Sequence, residues 1–297
     1  MERRQFGRTD MTVSALGFGG SEIQSDTDVA TAEALLTGAL DAGLNVVDTA
    51  ACYGLSEELI GTAIGHRRHE YYLFSKCGHA VDLPTPDWDP RTVRHSIERS
   101  LTRLRTDHLD LIQLHSCSRE ILERGDLILE LERARDAGKV RYIGYSGDNE
   151  AASWAVESGR FASLQTSINI ADQAVLDHIL PQAHAAGMGV IAKRPVANVA
   201  WRVPQLPEED YGYEYGERLK VLAFPWLAAP LGETVGLALR FTLSAPGVST
   251  AIVGTKSPGR WQENASYVDE GPLDPDLFRA IRAAWAGAAG FDPRGQG

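Results

Sequence analysis

The sequence predicts an α/β fold, a (β/α)8 or TIM barrel with an N-terminal β-hairpin and extra C-terminal helices. Three observations carry this. Eight short, largely apolar strands alternate with helical stretches, near residues 15–19, 45–48, 72–76, 109–115, 141–145, 162–166, 189–192 and 250–253. Helical stretches end in Ala-Gly just before a strand, at Ala42-Gly43, Ala137-Gly138 and Ala186-Gly187, where glycine supplies the left-handed residue that turns the chain back. A doubly wound dinucleotide fold would want Gly-x-Gly-x-x-Gly after its first strand, but Gly17-Phe18-Gly19-Gly20 lacks that spacing.

In chain order, Arg3 to Thr12 has a Gly-Arg-Thr-Asp turn between two extended runs and reads as a hairpin. Val93, Ile97, Leu101 and Leu104 mark one face of a helix at three- and four-residue spacing. Val203 to Gly216, with two prolines, four acidic residues and three tyrosines, reads as a long polar loop after the 189–192 strand. At a barrel's C-terminal face such a loop covers the active site. Asp274 to Ala286 reads as a helix outside the repeat, followed by a frayed tail ending Arg294-Gly295-Gln296-Gly297. No linker or low-complexity tract interrupts residues 1–297, so one domain is expected.

The chain has 297 residues, and a barrel takes about 250. Its net charge of −11 argues against nucleic acid and anionic membranes as partners. No apolar run approaches the ~20 residues of a bilayer span, and no signal-peptide core follows Met1-Glu2-Arg3. Three widely spaced cysteines make no disulfide framework and no Cys-x-x-Cys metal pair. The expected compartment is the cytoplasm, with no metal; the sequence does not speak to oligomeric state.

Three strands end in an ionisable residue where an apolar run stops: Val46-Val47-Asp48, Phe74-Ser75-Lys76 and Gln113-Leu114-His115. In a barrel these ends converge on one mouth, and Tyr53 lies in the loop just beyond Asp48. Singly, each has an ordinary reading: a helix cap, a solvated lysine, a satisfied buried histidine, a packing tyrosine. Together they have what carbonyl reduction needs. Hydride arriving at a carbonyl carbon puts negative charge on oxygen, so a proton donor must stand there. Tyr53 is that donor, Lys76 is expected to lower its pKa from about 10, and Asp48 keeps Lys76 charged. His115 can donate a hydrogen bond to the carbonyl oxygen.

The chain resembles members of the aldo-keto reductase superfamily. The resemblance rests on Gly43-Leu44-Asn45-Val46-Val47-Asp48-Thr49-Ala50, Tyr53-Gly54 with Ser56-Glu57-Glu58-Leu59-Ile60-Gly61, Asp110 to His115, and Gly138 to Gly144, and runs from about residue 3 to 270. It implies the barrel fold, an NADPH or NADH cofactor without metal, and the tetrad Asp48, Tyr53, Lys76 and His115. It also implies a cofactor-adenosine motif beginning at Gly254, in which Thr255, Lys256, Ser257 and Arg260 surround the 2′-phosphate side, with Glu263 and Asn264 at the adenine. Arginine forks onto phosphate and a helix N-terminus attracts an anion, so NADPH is favoured over NADH. The implied enzyme is an NADP-dependent oxidoreductase acting on CH–OH or C=O groups of a small molecule.

Two departures from the pattern stand out. The Ser-Asn that holds a nicotinamide carboxamide reads Ser146-Gly147-Asp148. Ser146 and Gln165 remain as carboxamide partners, and Asp148 or a water could replace the amide. After the 189–192 strand, an aromatic residue that stacks on the nicotinamide is replaced by Lys193-Arg194-Pro195. A flat guanidinium can stack on a ring, which makes Arg194 the replacement or, alternatively, a phosphate contact. A cation beside the nicotinamide would also disfavour its oxidised, positively charged form. Trp88 and Trp201 are expected to line the substrate pocket; Cys52 precedes Tyr53, Cys77 follows Lys76 and Cys117 lies two after His115. Two other functions are compatible with these residues: a non-catalytic NADP-binding regulatory subunit, and a Schiff-base lyase using Lys76.

Overall fold

The structure, a computed structural model, describes residues 1–288 and 291–295. Two short antiparallel strands, β1 (Arg3–Gln5) and β2 (Thr12–Ser14), form the expected hairpin. Eight parallel strands then close into the expected barrel: β3 (Leu16–Gly19), β4 (Val46–Asp48), β5 (Tyr72–Cys77), β6 (Leu109–His115), β7 (Val140–Ser146), β8 (Ser163–Ser167), β9 (Gly189–Lys193) and β10 (Thr250–Val253). Each pairs with the next in sequence, and β10 returns to β3.

The outer ring is α1 (Val29–Asp41), α2 (Ser56–Ile64), α3 (Pro90–Leu104), α4 (Arg119–Arg124), α5 (Asp126–Asp136), α6 (Asn149–Glu157), α7 (Ile179–Ala185), α8 (Tyr213–Leu222), α9 (Leu231–Ser244) and α10 (Pro258–Asp269). The C-terminal α11 (Pro275–Gly287) lies outside the repeat. The glycines that end α1, α5 and α7 are left-handed, with φ of +91° at Gly43, +75° at Gly138 and +67° at Gly187. On α3, Val93, Ile97 and Leu104 are buried and Leu101 partly so, the face the spacing predicts. Among the described residues no helix is long and apolar enough to cross a membrane.

Alternation along the strands builds the interior in two layers. Val46, Phe74, Leu111, Ile191 and Ile252 point inward and meet Phe6, Met11 and Val13 of the hairpin, which plugs the N-terminal mouth. Their strand neighbours Val47, Leu73, Ile112, Val190 and Ala251 point outward into the core beneath the helices. Each fully buried large apolar side chain of this plug stabilises the fold by roughly 1.5–3 kcal/mol. The plug fits closely: a Cβ at Gly189 would stand 2.5 Å from the Phe6 ring, so β9 must begin on glycine. Two residues beyond the apolar layer, the same period places Asp48, Lys76, Gln113 and Lys193 in an upper, polar layer.

Two segments differ from expectation. The polar stretch 203–216 is loop only to Gly212. From Tyr213 it is helical, because Tyr215, Leu219 and Leu222 bury against Ala200, Phe224 and Trp285 in a second core. The tail is docked as far as it is described: Asn149 exchanges hydrogen bonds of 2.8 and 2.7 Å with the Gly295 backbone, and Arg218 donates to the Arg294 carbonyl at 2.6 Å. Gln296 and Gly297 lie outside the described residues.

Candidate active site

The upper layer opens into a cavity of about 700 Å³ at the C-terminal mouth. Tyr53, Lys76, His115, Ser146, Gln165 and Lys193 all line it. Asp48 lies just behind, at the end of β4, and forms an ion pair with the Lys76 ammonium; the two side chains are 1% and 2% exposed. Lys76 also donates to the Thr49 carbonyl at 2.9 Å. Its Nζ is 5.0 Å from the centre of the Tyr53 ring. The Tyr53 and His115 rings meet edge to face with centroids 5.6 Å apart.

Burial alone would take the proton from Lys76, but Asp48 and Tyr53 outweigh it and hold the ammonium above the ordinary lysine value. The lowering expected at Tyr53 is not what the structure gives. Burial raises the phenol more than the Lys76 charge lowers it, and Asp48 and Cys52 add to the rise. Tyr53 is therefore fully protonated at neutral pH. Burial also leads the set of effects on His115, followed by the charges of Lys76, His79 and Lys193, and the imidazole stands well below the ordinary value. It is neutral, so one nitrogen carries the proton. Cys52 Sγ lies 3.3 Å from Nδ1, and burial keeps that thiol protonated. When the thiol donates to Nδ1, Nε2 is left as the N–H donor.

Gln113 was not singled out by the sequence reading. It is buried, donates to Asp48 Oδ2 at 3.3 Å and to Gln165 Oε1 at 2.9 Å, while Gln165 donates to Asp48 Oδ1 at 3.4 Å. Its signal was legible: a polar residue inside Leu111-Ile112-Gln113-Leu114, two before His115 and so on the same strand face. The other two cysteines are buried; burial pushes Cys117 up to about 12 and Cys77 higher still.

The departure after β7 has a steric cause. A Cβ at Gly147 would stand 2.3 Å from the Tyr145 hydroxyl, which donates to the Cys117 carbonyl at 2.7 Å. Asp148 does not stand free for a carboxamide: Oδ1 accepts from Thr166 Oγ1 and Ser167 N, both at 2.8 Å, and Oδ2 pairs with Lys193 at 2.7 Å. Gly147→Asn is expected to destabilise the fold by about 1–3 kcal/mol through overpacking rather than improve a grip. Urea denaturation checks this, and unchanged stability would show that Tyr145 yields.

Arg194 lines the same cavity, its guanidinium 4.0 Å above the Tyr211 ring and bonded to the Tyr211 and Tyr215 hydroxyls. Trp88 is not among the residues that line the cavity; its ring lies 4.7 Å from His79, whose ring is 5.3 Å from His115. Trp201 does not join them. It packs on α9, with its indole N–H donating to Thr234 Oγ1 at 3.3 Å, because the chain after Val199 turns down toward the second core.

The C-terminal strip runs outward from this cavity. Gly254 lines it, Lys256 pairs with Asp26 across the rim, and Ser257 caps α10. Arg260, Glu263 and Asn264 border a shallow hollow of about 270 Å³ between α9 and α10. Asn264 Oδ1 is buried there without a protein partner, an acceptor that suits an exocyclic amine such as that of adenine. Among the described residues no group of His, Cys, Asp and Glu could hold a metal ion.

The family model described as "Aldo/keto reductase family" matches residues 15–286. An aldo-keto reductase from Bacillus halodurans, solved in its holo form, superposes with a TM-score of 0.82 at 28% identity, covering 96% of each chain. The L-galactose dehydrogenase of Arabidopsis thaliana is 28% identical over 91% of this chain and 89% of its own length. A D-threo-aldose 1-dehydrogenase from a Pseudomonas species is 28% identical over 86% of this chain and 90% of its own.

Proposed function

Because the chain belongs to the aldo/keto reductase family, we propose that it reduces an aldehyde or ketone with NADPH, the Tyr53 hydroxyl delivering the proton. The observation that carries this reading is the convergence of Tyr53, Lys76 and His115 on one cavity with Asp48 buried behind Lys76. Bound reduced nicotinamide supplies the hydride that the carbonyl carbon accepts. Ser146 and Gln165 are the side chains for its carboxamide; Lys256, Ser257 and Arg260 suit a 2′-phosphate, and Glu263 and Asn264 the adenine.

The protein's own part is electrostatic and positional. His115 donates from Nε2 to the substrate's carbonyl oxygen, fixing its pose and polarising the bond. As charge builds on that oxygen, Tyr53 Oη gives up its proton. The Lys76 ammonium stabilises the phenolate as it forms, and Asp48 keeps that ammonium charged and aimed. Pairing with Asp48 also keeps Lys76 from acting as the free amine that a Schiff-base lyase needs.

The same charges set a pH profile. His115 is already neutral and both Tyr53 and Lys76 hold their protons above their ordinary values. Reduction kcat is therefore expected to stay flat from about pH 6.5 to about pH 9.5. A break near neutrality in initial-rate measurements would show that an essential group titrates there.

The test of function is oxidation of NADPH, and of NADH beside it, with a panel of small aldehydes, quinones and sugars. Sugars belong on the panel because two relatives are a galactose and an aldose dehydrogenase by name. Turnover favouring NADPH is expected. Binding without turnover on every carbonyl would instead fit a regulatory subunit.

A further inference from the structure

The cavity wall holds a second buried ion pair that proton transfer does not use. We propose that Lys193 senses the charge of the nicotinamide, so that the protein holds the reduced cofactor more tightly than the oxidised one and is biased toward reduction. The inference rests on the cofactor reading above and deepens it.

Lys193 ends β9 in register with Ser167 of β8. Ile191, two residues earlier, points into the barrel, so strand alternation sends Lys193 inward as well. It lines the cavity beside Ser146 and Gln165, the carboxamide side chains of the proposed site. No side chain can come from position 147, since Tyr145 fills that space, so Lys193, backed by Asp148, forms this part of the wall.

The arrangement of charge is one-sided. Lys76, Lys193 and Arg194 face the cavity, whereas Asp48 and Asp148 are buried behind the two lysines and do not line it. Glu22, packed against Gly254 just beyond β10, the strand beside β9, is the one carboxylate among the lining residues described. Asp148 is further drawn away from the cavity by its bonds to Thr166 and Ser167. An oxidised nicotinamide is a cation and a reduced one is neutral, so a wall that presents ammonium groups discriminates between them. Lys76 belongs to the proton donor, and Arg194 is stacked on Tyr211. Lys193 is the cation left to the ring's surroundings.

The test is the ratio of dissociation constants for NADP+ and NADPH, measured by calorimetry on the wild type, Lys193→Met, Lys193→Arg and the double variant Lys193→Met/Asp148→Asn. The wild type is expected to prefer NADPH, and Lys193→Met to shrink that preference about tenfold, mainly by tightening NADP+. Lys193→Arg should keep it. The double variant removes both charges, so it reports even if Lys193→Met folds poorly, and it should also lose the preference. A ratio unchanged in the charge-removing variants while both dinucleotides still bind overturns this inference alone. A wild type that binds neither dinucleotide overturns the cofactor reading beneath it.

Discussion

Tyr53→Phe is expected to lower kcat for carbonyl reduction by roughly 10²- to 10⁴-fold, the usual contribution of a positioned acid, while NADPH binding changes little. The substitution removes one hydroxyl at the cavity wall and keeps the ring that meets His115 edge to face. Packing is preserved, so the loss falls on proton transfer. Steady-state kcat set beside the dissociation constant for NADPH separates the two effects. Full activity in the variant would mean that another group supplies the proton.

Lys76→Met should abolish activity and also weaken the fold. Asp48 is 1% exposed, and without the ammonium it keeps only the Gln113 and Gln165 amides as donors. Removing one partner of a buried pair costs about 3–5 kcal/mol, because the other charge is left uncompensated. Burial already pushes the Asp48 carboxyl upward against the pull of Lys76, so in the variant it would take up a proton. Adding Asp48→Asn should therefore recover much of the stability and none of the activity. Urea midpoints and initial rates for the single and double variants check this. A stable, active Lys76→Met protein would show that the pair serves neither purpose.

The barrel was legible because its signals are local. Left-handed glycines at 43, 138 and 187 mark helix ends, and short aliphatic runs mark strands. Strand-end polarity located Asp48, Lys76 and His115, since residues two or four beyond an inward apolar side chain share its face and approach the mouth.

What the sequence left unread depends on contacts between distant segments. The Lys193–Asp148 pair joins the ends of two strand–helix units. Trp201 and the start of α8 are placed by a second core assembled from α8, α9 and α11, and the docked tail is held by Arg218 and Asn149. A Gly-rich polar tail and a tyrosine-rich polar stretch look like loop when only their neighbours in sequence are weighed. The sign of the Tyr53 shift was misread for a related reason: the neighbouring cation is visible in the sequence, and the depth of burial is not.

The most direct measurement is a crystal structure of the protein with NADP+ and an unreactive carbonyl analogue. The account predicts the analogue's oxygen within hydrogen-bonding distance, roughly 2.6–3.2 Å, of both Tyr53 Oη and His115 Nε2, with Lys76 behind the phenol and the nicotinamide over the same mouth. A carbonyl oxygen held by other groups, with Tyr53 facing away from it, would contradict the account.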